Sequence, residues 1–335
     1  MNSLFVPEGY KPKLNRHDIQ LAIDVAKQAF QNEFSESLEL RRVSAPLFVA
    51  SLSGMNDNLS GTERPVSFDI PAISINAEIV HSLAKWKRVA LKRYGFGVHE
   101  GIITDMNAIR RDEELDNMHS VYVDQWDWEK IITEEDRTEE YLKSVVTKIV
   151  NAVCNVNEKL KKKFPVLTTE ISRDVVFITS QELEDLYPEL APVEREHAFT
   201  KEHKTVFVMK IGDKLRSGVP HGNRAPDYDD WQLNGDILVW NDVLGCAFEL
   251  SSMGIRVNKE SLEEQLRKAG CEGRRSQHYH KMLLGGELPL TIGGGIGQSR
   301  LCMLLLGCAH IGEVQSSLWD EDTVAKCKEN GIKLL

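Results

Sequence analysis

Apolar residues recur at two different spacings along the chain, and these spacings separate helices from strands. Residues 19–34 carry apolar side chains every three or four positions, which predicts an amphipathic helix of about five turns. The same spacing predicts a long helix over 138–163. Alternating or continuous apolar runs predict strands at 101–110, 119–129, 175–178, 205–211, 233–241 and 247–257. Antiparallel strands surrounded by helices indicate one α+β domain over residues 1–335, with residues 1–15 irregular.

Two further elements carry residues that complicate their pattern. Residues 38–49 are expected to form one strand that contains Pro46, and proline suits a sheet edge or an interface better than a sheet centre. Residues 79–91 are expected to form a helix. Its cations are interpreted as belonging to a solvated face, and they are Lys85, Lys87 and Arg88.

Four glycines lie in residues 291–301 (TIGGGIGQSRL), between two apolar segments. This order predicts a strand, a glycine turn and a helix, with Arg300 in the first helical turn. Glycine lets a flat ligand or a phosphate approach the backbone, and helix N-terminal N–H groups favour an anion. Gln298 stands where a dinucleotide fingerprint needs glycine, and no P-loop lysine follows. A tight packing turn is therefore an equal alternative.

Composition narrows the class of protein. The chain has 335 residues, 41% hydrophobic and 27% charged, which is typical of a globular protein. Its net charge of -10 argues against a partner held through nucleic-acid phosphates. The six cysteines include no C-x-x-C pair, so neither a zinc ribbon nor a redox motif is expected. The chain shows no leader and no apolar run of membrane-spanning length, so we expect a cytoplasmic protein without a membrane partner.

Polar groups on the expected strands suggest two ligand positions. Asp236 and Glu249 lie on neighbouring antiparallel strands, where they could face each other and hold a hard divalent cation. Two surface acids on a hairpin are the alternative. Gln125 and Asp127 share one strand face, which fits either a ligand site or a strand end that emerges into water.

The order of these features resembles the three motifs of class II aminoacyl-tRNA synthetase catalytic domains. A helix leads to a strand with a proline, a strand–loop–strand carries Arg110 at its turn, and the glycine segment leads to Arg300. More closely, the chain is similar to the ammonia-dependent asparagine synthetase (aspartate–ammonia ligase) family. The similarity also covers residues 57–61 (DNLSG), 81–88 (HSLAKWKR), 119–129 (HSVYVDQWDWE), 224–231 (RAPDYDDW), 233–240 (LNGDILVW) and 248–257 (FELSSMGIRV).

The resemblance implies an antiparallel sheet flanked by helices and an ATP-dependent ligase. Aspartate, ATP and ammonia would give asparagine, AMP and pyrophosphate through a β-aspartyl adenylate, with Mg²⁺ held by Asp236 and Glu249. Arg110 would bridge the aspartate carboxylate and the α-phosphate. Arg300 would hold ATP at the adenine or at the γ-phosphate. The glycines would leave room for adenine and ribose, and they are Gly293, Gly294 and Gly295.

The resemblance also implies a set of side chains around the amino acid. Ser82 and Lys87 would bind its α-carboxylate, and Asp127 and Asp229 its ammonium. Ammonia needs a carboxylate to bind it as ammonium and a base to take its proton. Asp57 is the candidate for that role, with Asp127 or Asp229 as alternatives. Further polar contacts would come from Gln125, Arg224 and Ser252.

Three points stay open at this level. Glu249 and Ser252 have opposite parity on one strand, so either a bulge brings both into the site or Ser251 makes the contact. The hairpin motif of the class is usually Arg-x-Glu, whereas Arg110 is followed by Arg111, and the family match favours Arg110. The class forms its dimer near the strand that contains proline, so a homodimer is expected.

Rival functions are less consistent with the chain. A tRNA synthetase would need an anticodon-binding domain, for which the chain lacks length. A glutamine-dependent synthetase would need a cysteine nucleophile, commonly at the mature N-terminus, but the first cysteine is Cys154. A non-catalytic sensor of asparagine or adenylate would be expected to have lost ligand-binding residues, yet all four are present: Arg110, Asp236, Glu249 and Arg300.

Overall fold

A computed structural model of the protein describes residues 4–57, 59 and 63–335. The strands of this part of the chain are β1 (Leu40–Arg42), β2 (Phe48–Ala50), β3 (Ser67–Ile70), β4 (Ile75–Ile79), β5 (Gly101–Ile109), β6 (Tyr122–Ile131), β7 (Val176–Thr179), β8 (Thr205–Met209), β9 (Asp229–Asn241), β10 (Cys246–Arg256) and β11 (Thr291–Gly297). The helices are α1 (Arg16–Leu38), α2 (Ala84–Tyr94), α3 (Glu139–Lys163), α4 (Ser180–Leu186), α5 (Pro192–His203), α6 (Lys259–Lys268), α7 (His278–Leu284), α8 (Gln298–Leu306) and α9 (Glu321–Glu329).

The larger sheet has eight strands in the order β1-β5-β6-β11-β10-β9-β8-β7. Its central pairs are antiparallel, and the two outermost pairs, β1–β5 and β7–β8, are parallel. The α+β class with an antiparallel sheet and flanking helices is therefore confirmed. Strands β5 and β6 form the expected antiparallel pair, in which Thr104 lies opposite Asp127.

Helices α1 and α3 cover one face of this sheet. The α1 helix begins at Arg16 because the Asn15 side chain accepts the first free N–H groups of the helix. Its buried face packs aromatic rings against β6. The ring centroids of Phe30 and Trp126 are 4.7 Å apart, and those of Phe34 and Trp128 are 5.7 Å apart. Because side chains alternate along β6, this packing directs the intervening polar residues to the opposite face.

The segment expected to be one strand at 38–49 is two short strands instead, so that prediction is wrong. Strand β1 lies at the edge of the large sheet, whereas β2 belongs to a separate sheet with the order β2-β4-β3. Pro46 lies between them and has no N–H for a sheet hydrogen bond. The chain therefore leaves one sheet and enters the other at this point.

The glycine turn expected at 293–297 is also wrong, because these residues form strand β11. Gly294 lies opposite Trp128 on β6 and opposite Met253 on β10, so hydrogen-bonded strands flank it on both sides. Helix α8 then starts at Gln298, and Arg300 lies in its first turn as expected.

Helix α2 starts at Ala84, five residues later than expected, because Ile79 still belongs to β4. The solvated-face interpretation of its cations is wrong. Lys85, Lys87 and Arg88 are 2%, 1% and 1% exposed, and each has oxygen partners inside the protein. Charges buried this deeply need partners, which makes α2 part of the polar interior.

The N-terminal segment of the described chain is irregular. Residues 4–15 contain neither helix nor strand, as expected for this segment. Among the described residues, no helix combines the length and the apolar character needed to cross a membrane.

Candidate active site

A cleft of about 540 Å³ opens on the face of the large sheet that α1 and α3 leave free. Its walls come from strands β6, β9, β10 and β11, from the start of α2, from the connections at 110–120 and 221–228, and from Asp57, Leu59 and Glu63. All predicted site residues except Gly293 line it: Asp57, Ser82, Lys87, Arg110, Gln125, Asp127, Arg224, Asp229, Asp236, Glu249, Ser252, Gly294, Gly295 and Arg300. Residues distant in sequence therefore meet in one place.

Lys87 and Asp127 form a buried ion pair in the cleft. Lys87 Nζ donates to Asp127 Oδ1 and, at 2.9 Å, to the carbonyl of Gly294. An ammonium group has three donors. Glu129 Oε2 at 3.9 Å is too far to take the third. Asp127 Oδ2 is buried and has no hydrogen-bond partner among the described residues. One donor and one acceptor therefore remain side by side for a ligand.

A second buried charge cluster lies deeper, around Arg256. Its guanidinium donates to Glu129 at 2.8 and 3.0 Å and also to Asp229. Burial acts to raise the pKa of Glu129, but the charge and hydrogen bonds of Arg256, the charge of Lys87 and the hydrogen bond from Thr291 together hold that pKa below its usual value. A Cβ on Gly293 would overlap the Glu129 carboxylate and lie 2.7 Å from Arg256 Nη2. Gly293 thus makes room for this cluster, and it does not line the cleft.

Gly295 has a different neighbour on the same face of the sheet. A Cβ there would meet the side-chain oxygen of Gln125 and approach Asp127 Oδ1 to 3.6 Å. The missing side chain therefore leaves the Gln125 and Asp127 groups accessible from the cleft, as a close approach to the backbone requires.

Arg224 and Asp236 form the next part of the cleft wall. Arg224 donates to Asp236 Oδ1 at 2.6 Å and to the hydroxyl of Ser252, while its Nε is buried without a partner among the described residues. Burial raises the pKa of Asp236, opposed by the Arg224 charge and reinforced by the charge of Glu249. Two carboxylates that repel each other beside open space favour a bound cation.

The register of β10 explains how Glu249 reaches this wall. The pairing with β9 shifts between Glu249 and Ser251, so that Glu249 pairs with Leu238 and Ser252 with Asp236. The irregularity is a bulge, one of the two possibilities that opposite parity left open, and both Ser251 and Ser252 line the cleft. Ser251 donates to the carbonyl of Gly295 at 3.0 Å, whereas Ser252 contacts Arg224.

The Asp236–Glu249 pair fits Mg²⁺. This ion prefers oxygen ligands and is commonly held by one or two carboxylates together with substrate phosphates. Groups of three or more His, Cys, Asp or Glu side chains with metal-ligand geometry do not occur in the described part of the chain. The pair would thus need water or phosphate oxygens to complete a coordination shell.

Two arginines, Arg110 and Arg300, also line the cleft. Arg110 Nε is buried and unpartnered among the described residues, and its Nη1 lies 3.9 Å from Glu113. The neighbouring Arg111 is exposed and does not line the cleft. Arg300 donates to the carbonyl of Glu249 at 3.2 Å and lies 2.8 Å from His119 Nε2. Both guanidinium groups are suited to bind an anion.

Asp57 is held at the cleft by short contacts. Its Oδ2 accepts from the Ser82 hydroxyl at 2.7 Å, and its Oδ1 accepts from the N–H of Leu59 at 3.0 Å. The remainder of the predicted 57–61 match, Asn58 and residues 60–61, lies outside the described residues.

Some residues of the site were missed by the sequence patterns. Tyr228 lines the cleft, and burial together with the charges of Asp57 and Asp229 raises its pKa well above the usual value. The ion-paired residues Glu129 and Arg256 were missed because they lie near strand ends that meet only in the sheet. The only signal for them was that they lie within two segments that resemble the family, 119–129 and 248–257.

Comparisons with known proteins indicate one family. A family model described as aspartate-ammonia ligase matches residues 17–331. An aspartate–ammonia ligase from Ruminiclostridium cellulolyticum is 57% identical, with 100% of each chain covered. One from Lactobacillus acidophilus is 58% identical, with 99% of each chain covered.

Solved structures show the same fold. The asparaginyl-tRNA synthetase from Pyrococcus horikoshii, complexed with asparaginyl-adenylate, has a TM-score of 0.65 at 14% identity over 92% of this chain and 71% of that one. The corresponding complex from Entamoeba histolytica has a TM-score of 0.60 at 14% identity over 90% of this chain and 66% of that one. At this identity the likeness concerns the fold alone.

Proposed function

The chain belongs to the aspartate–ammonia ligase family, and on that premise we propose that it makes asparagine from aspartate, ammonia and ATP through a β-aspartyl adenylate. A carboxylate is a poor acyl donor. The aspartate side chain would therefore first attack the α-phosphate of ATP and release pyrophosphate. Ammonia would then attack the activated carbonyl and release AMP. In the first step a bond from the carboxylate oxygen to the α-phosphorus forms as the bond to pyrophosphate breaks. In the second step a C–N bond forms as the C–O bond to AMP breaks.

The observation that carries the proposal is the free donor of Lys87 beside the free acceptor of Asp127. An α-amino acid presents a carboxylate and an ammonium on one carbon, so it needs a cation and an anion within a few ångströms. Lys87 has one unused N–H, and Asp127 Oδ2 is unpartnered among the described residues. Ser82 and Gln125 line the same cleft and add neutral polar contacts.

The phosphate end would be bound by cations. Attack of a carboxylate on a phosphate brings two anions together, so stabilising charge at that point lowers the barrier. Arg110 has an unpartnered buried Nε, and we assign it to the α-phosphate and the reacting carboxylate. Arg300 would bind another part of ATP. Mg²⁺, held by Asp236 and Glu249, would supply Lewis-acid polarisation of the phosphates.

Ammonia would arrive mostly as ammonium, which requires an anion to bind it and a base to take its proton. Three aspartates could serve. Asp127 and Asp229 are already ion-paired, with Lys87 and Arg256. Asp57 has no cation partner among the described residues and accepts only neutral hydrogen bonds. We therefore assign the ammonium-binding and base role to Asp57.

The small sheet β2-β4-β3 supports a homodimer. Strands β2 and β3 bring Phe48 and Phe68 together, with ring centroids 5.2 Å apart. An exposed apolar surface of this kind is typical of an interaction site. Its exposed members are Leu47, Phe48, Leu52, Phe68, Ile73 and Ile75. We propose that a second copy of the chain covers it and that the enzyme acts in the cytoplasm, with no nucleic-acid or membrane partner.

Two assays test the function. Purified protein with aspartate and Mg²⁺ is expected to exchange labelled pyrophosphate into ATP, and to form asparagine from ammonium but not from glutamine. The absence of exchange would overturn the adenylate. Asparagine formed from glutamine alone would overturn the nitrogen donor. Charging of tRNA after exchange would instead favour a synthetase.

A further inference from the structure

The segment that carries Asp57 contains no helix or strand between residues 54 and 57. Side-chain contacts hold it in place. Asn56 Oδ1 accepts from the N–H of Asp57 at 3.0 Å and from that of His81 at 2.8 Å. His81 Nδ1 lies 3.2 Å from the Asp57 carbonyl, which makes this nitrogen the donor. A carboxylate that must meet a small, mobile nucleophile therefore depends on contacts outside its own segment.

Lys85 is the charged member of these contacts. Its Nζ donates to the carbonyl of Asn56 at 3.0 Å and reaches that of Gly54 at 3.5 Å. The same ammonium lies 3.5 Å from Asp227 Oδ2, and both side chains are only 2% exposed. A buried charge that loses its partner is strongly destabilising. Lys85 and Asp227 therefore stabilise each other in the protein interior.

Asp227 has two further partners, Arg274 and His280. Arg274 donates to its Oδ1 at 2.6 Å, and His280 Nε2 lies 3.1 Å from its Oδ2. Although burial acts to raise the pKa of Asp227, the hydrogen bond from His280 and the charges of Lys85 and Arg274 lower it to about 2. Asp227 is thus a fixed anion.

The position of this pair connects two walls of the cleft. Asp227 immediately precedes Tyr228 and Asp229, which line the cleft, and Lys85 holds the segment that ends at Asp57. Neither Lys85 nor Asp227 lines the cleft itself. The pair therefore lies behind the site and touches both segments.

We propose that Lys85 and Asp227 are positioning residues, which fix the Asp57 carboxylate relative to the segment of Tyr228 and Asp229 for attack by ammonia. This inference rests on the proposed role of Asp57. Small displacements of a reacting group cost large factors in rate, so the amide-forming step should depend on the pair more than adenylation does.

The test compares two rates in Lys85→Met and in Asp227→Asn. Asparagine formation is expected to fall at least about tenfold more than aspartate-dependent pyrophosphate exchange, with a raised KM for ammonium. Lys85→Arg keeps a cation and donors, so it should restore part of the lost rate. Residues that act through one carboxylate give non-additive losses, and Asp57→Asn combined with Lys85→Met should therefore be little worse than Asp57→Asn alone.

A matched control is Arg137→Met. Arg137 forms another buried ion pair, 2.8 Å from Asp230, and neither residue lines the cleft. It should lower the melting temperature without changing the ratio of the two rates. Equal losses of exchange and amide formation in Lys85→Met and Asp227→Asn would overturn the positioning role. If either variant fails to fold, the other decides, and if both fail, an unchanged rate ratio in Lys85→Gln, which keeps a donor but not the charge, would overturn it. Failure of the proposed function itself would appear separately, as missing exchange in the unmodified protein.

Discussion

The Lys87 ammonium donates to the Asp127 carboxylate inside the cleft, where the two side chains are 1% and 5% exposed. Neither group can turn to solvent, and each keeps one hydrogen-bonding position unused among the described residues. Such a pair offers a hydrogen-bond donor and an acceptor to a ligand that carries both charges. Its burial also makes the pair sensitive to the loss of either partner.

Lys87→Met is expected to raise the KM for aspartate at least about tenfold and to lower the free energy of unfolding. The reason is that Asp127 would be left buried without its cation, a change that typically costs about 3–5 kcal/mol. Lys92→Met is the control on the same helix, since Lys92 pairs with Glu287 at the surface. Aspartate kinetics and denaturant unfolding measure both effects. Equal KM values in the two variants would contradict the assignment.

Arg110→Ala is expected to lower aspartate-dependent pyrophosphate exchange by a factor of about 100 or more, because a charge directed at the reacting phosphate stabilises the transition state. Arg111→Ala should leave exchange within about twofold, since Arg111 is exposed and outside the cleft. Exchange assays at saturating ATP compare the two. If Arg111→Ala were the more damaging variant, the hairpin assignment would be reversed.

Asp236→Asn is expected to raise the Mg²⁺ concentration needed for half-maximal exchange at least about tenfold, because one of two proposed ligands is lost. In the unmodified protein the same requirement should increase as the pH falls, since the pKa of Asp236 is raised and protonation competes with the metal. Asp242→Asn, an exposed acid on the connection between β9 and β10, is the control. Identical Mg²⁺ titrations for both variants would exclude Asp236 as a ligand.

His310 should make stability depend on pH. Burial lowers its pKa from 6.5 to about 4, so the unfolded chain binds a proton that the folded protein does not. Stability is therefore complete above pH 6.5 and falls between pH 6.5 and 4, by at most about 3 kcal/mol from this group. Urea unfolding across this range measures it. His310→Asn keeps an acceptor near the N–H of Gly312 and should reduce the slope; an unchanged slope would assign it to other groups.

Phe48→Glu is expected to convert a dimer into a monomer, because a charge would replace a ring that packs against Phe68 on the exposed apolar surface of the small sheet. Val324→Glu on α9 is a matched control, since Val324 is 45% exposed and Phe48 is 43% exposed. Light scattering with size-exclusion chromatography gives the mass. A dimer that persists in Phe48→Glu would place the interface elsewhere.

Many residues of the candidate site could be predicted from local sequence patterns and from the segments that resemble the family. The two expected polar positions on β6, Gln125 and Asp127, do line the cleft, because alternation along a strand is a local property. Arg110 was separated from Arg111 only by the family match, and the structure agrees with that choice of cleft residue.

Other features had no local signal. The three adjacent cations of α2 looked like a solvated face because their carbonyl and carboxylate partners lie far away in sequence. Lys87, for example, contacts Gly294 and Asp127. The bulge between Glu249 and Ser251 was only one of two possibilities, since it depends on the register with β9.

Periodicity and strings of adjacent residues were sufficient to predict the α+β class, the family and a set of site residues of which all but Gly293 line the cleft. Three other features appear only in the folded chain: the glycines form a strand between β6 and β10, Gly293 makes room for Glu129 and Arg256, and Lys85 lies buried against Asp227. Those outcomes depend on which side chains occupy the neighbouring strands and segments. Only the fold brings such neighbours together.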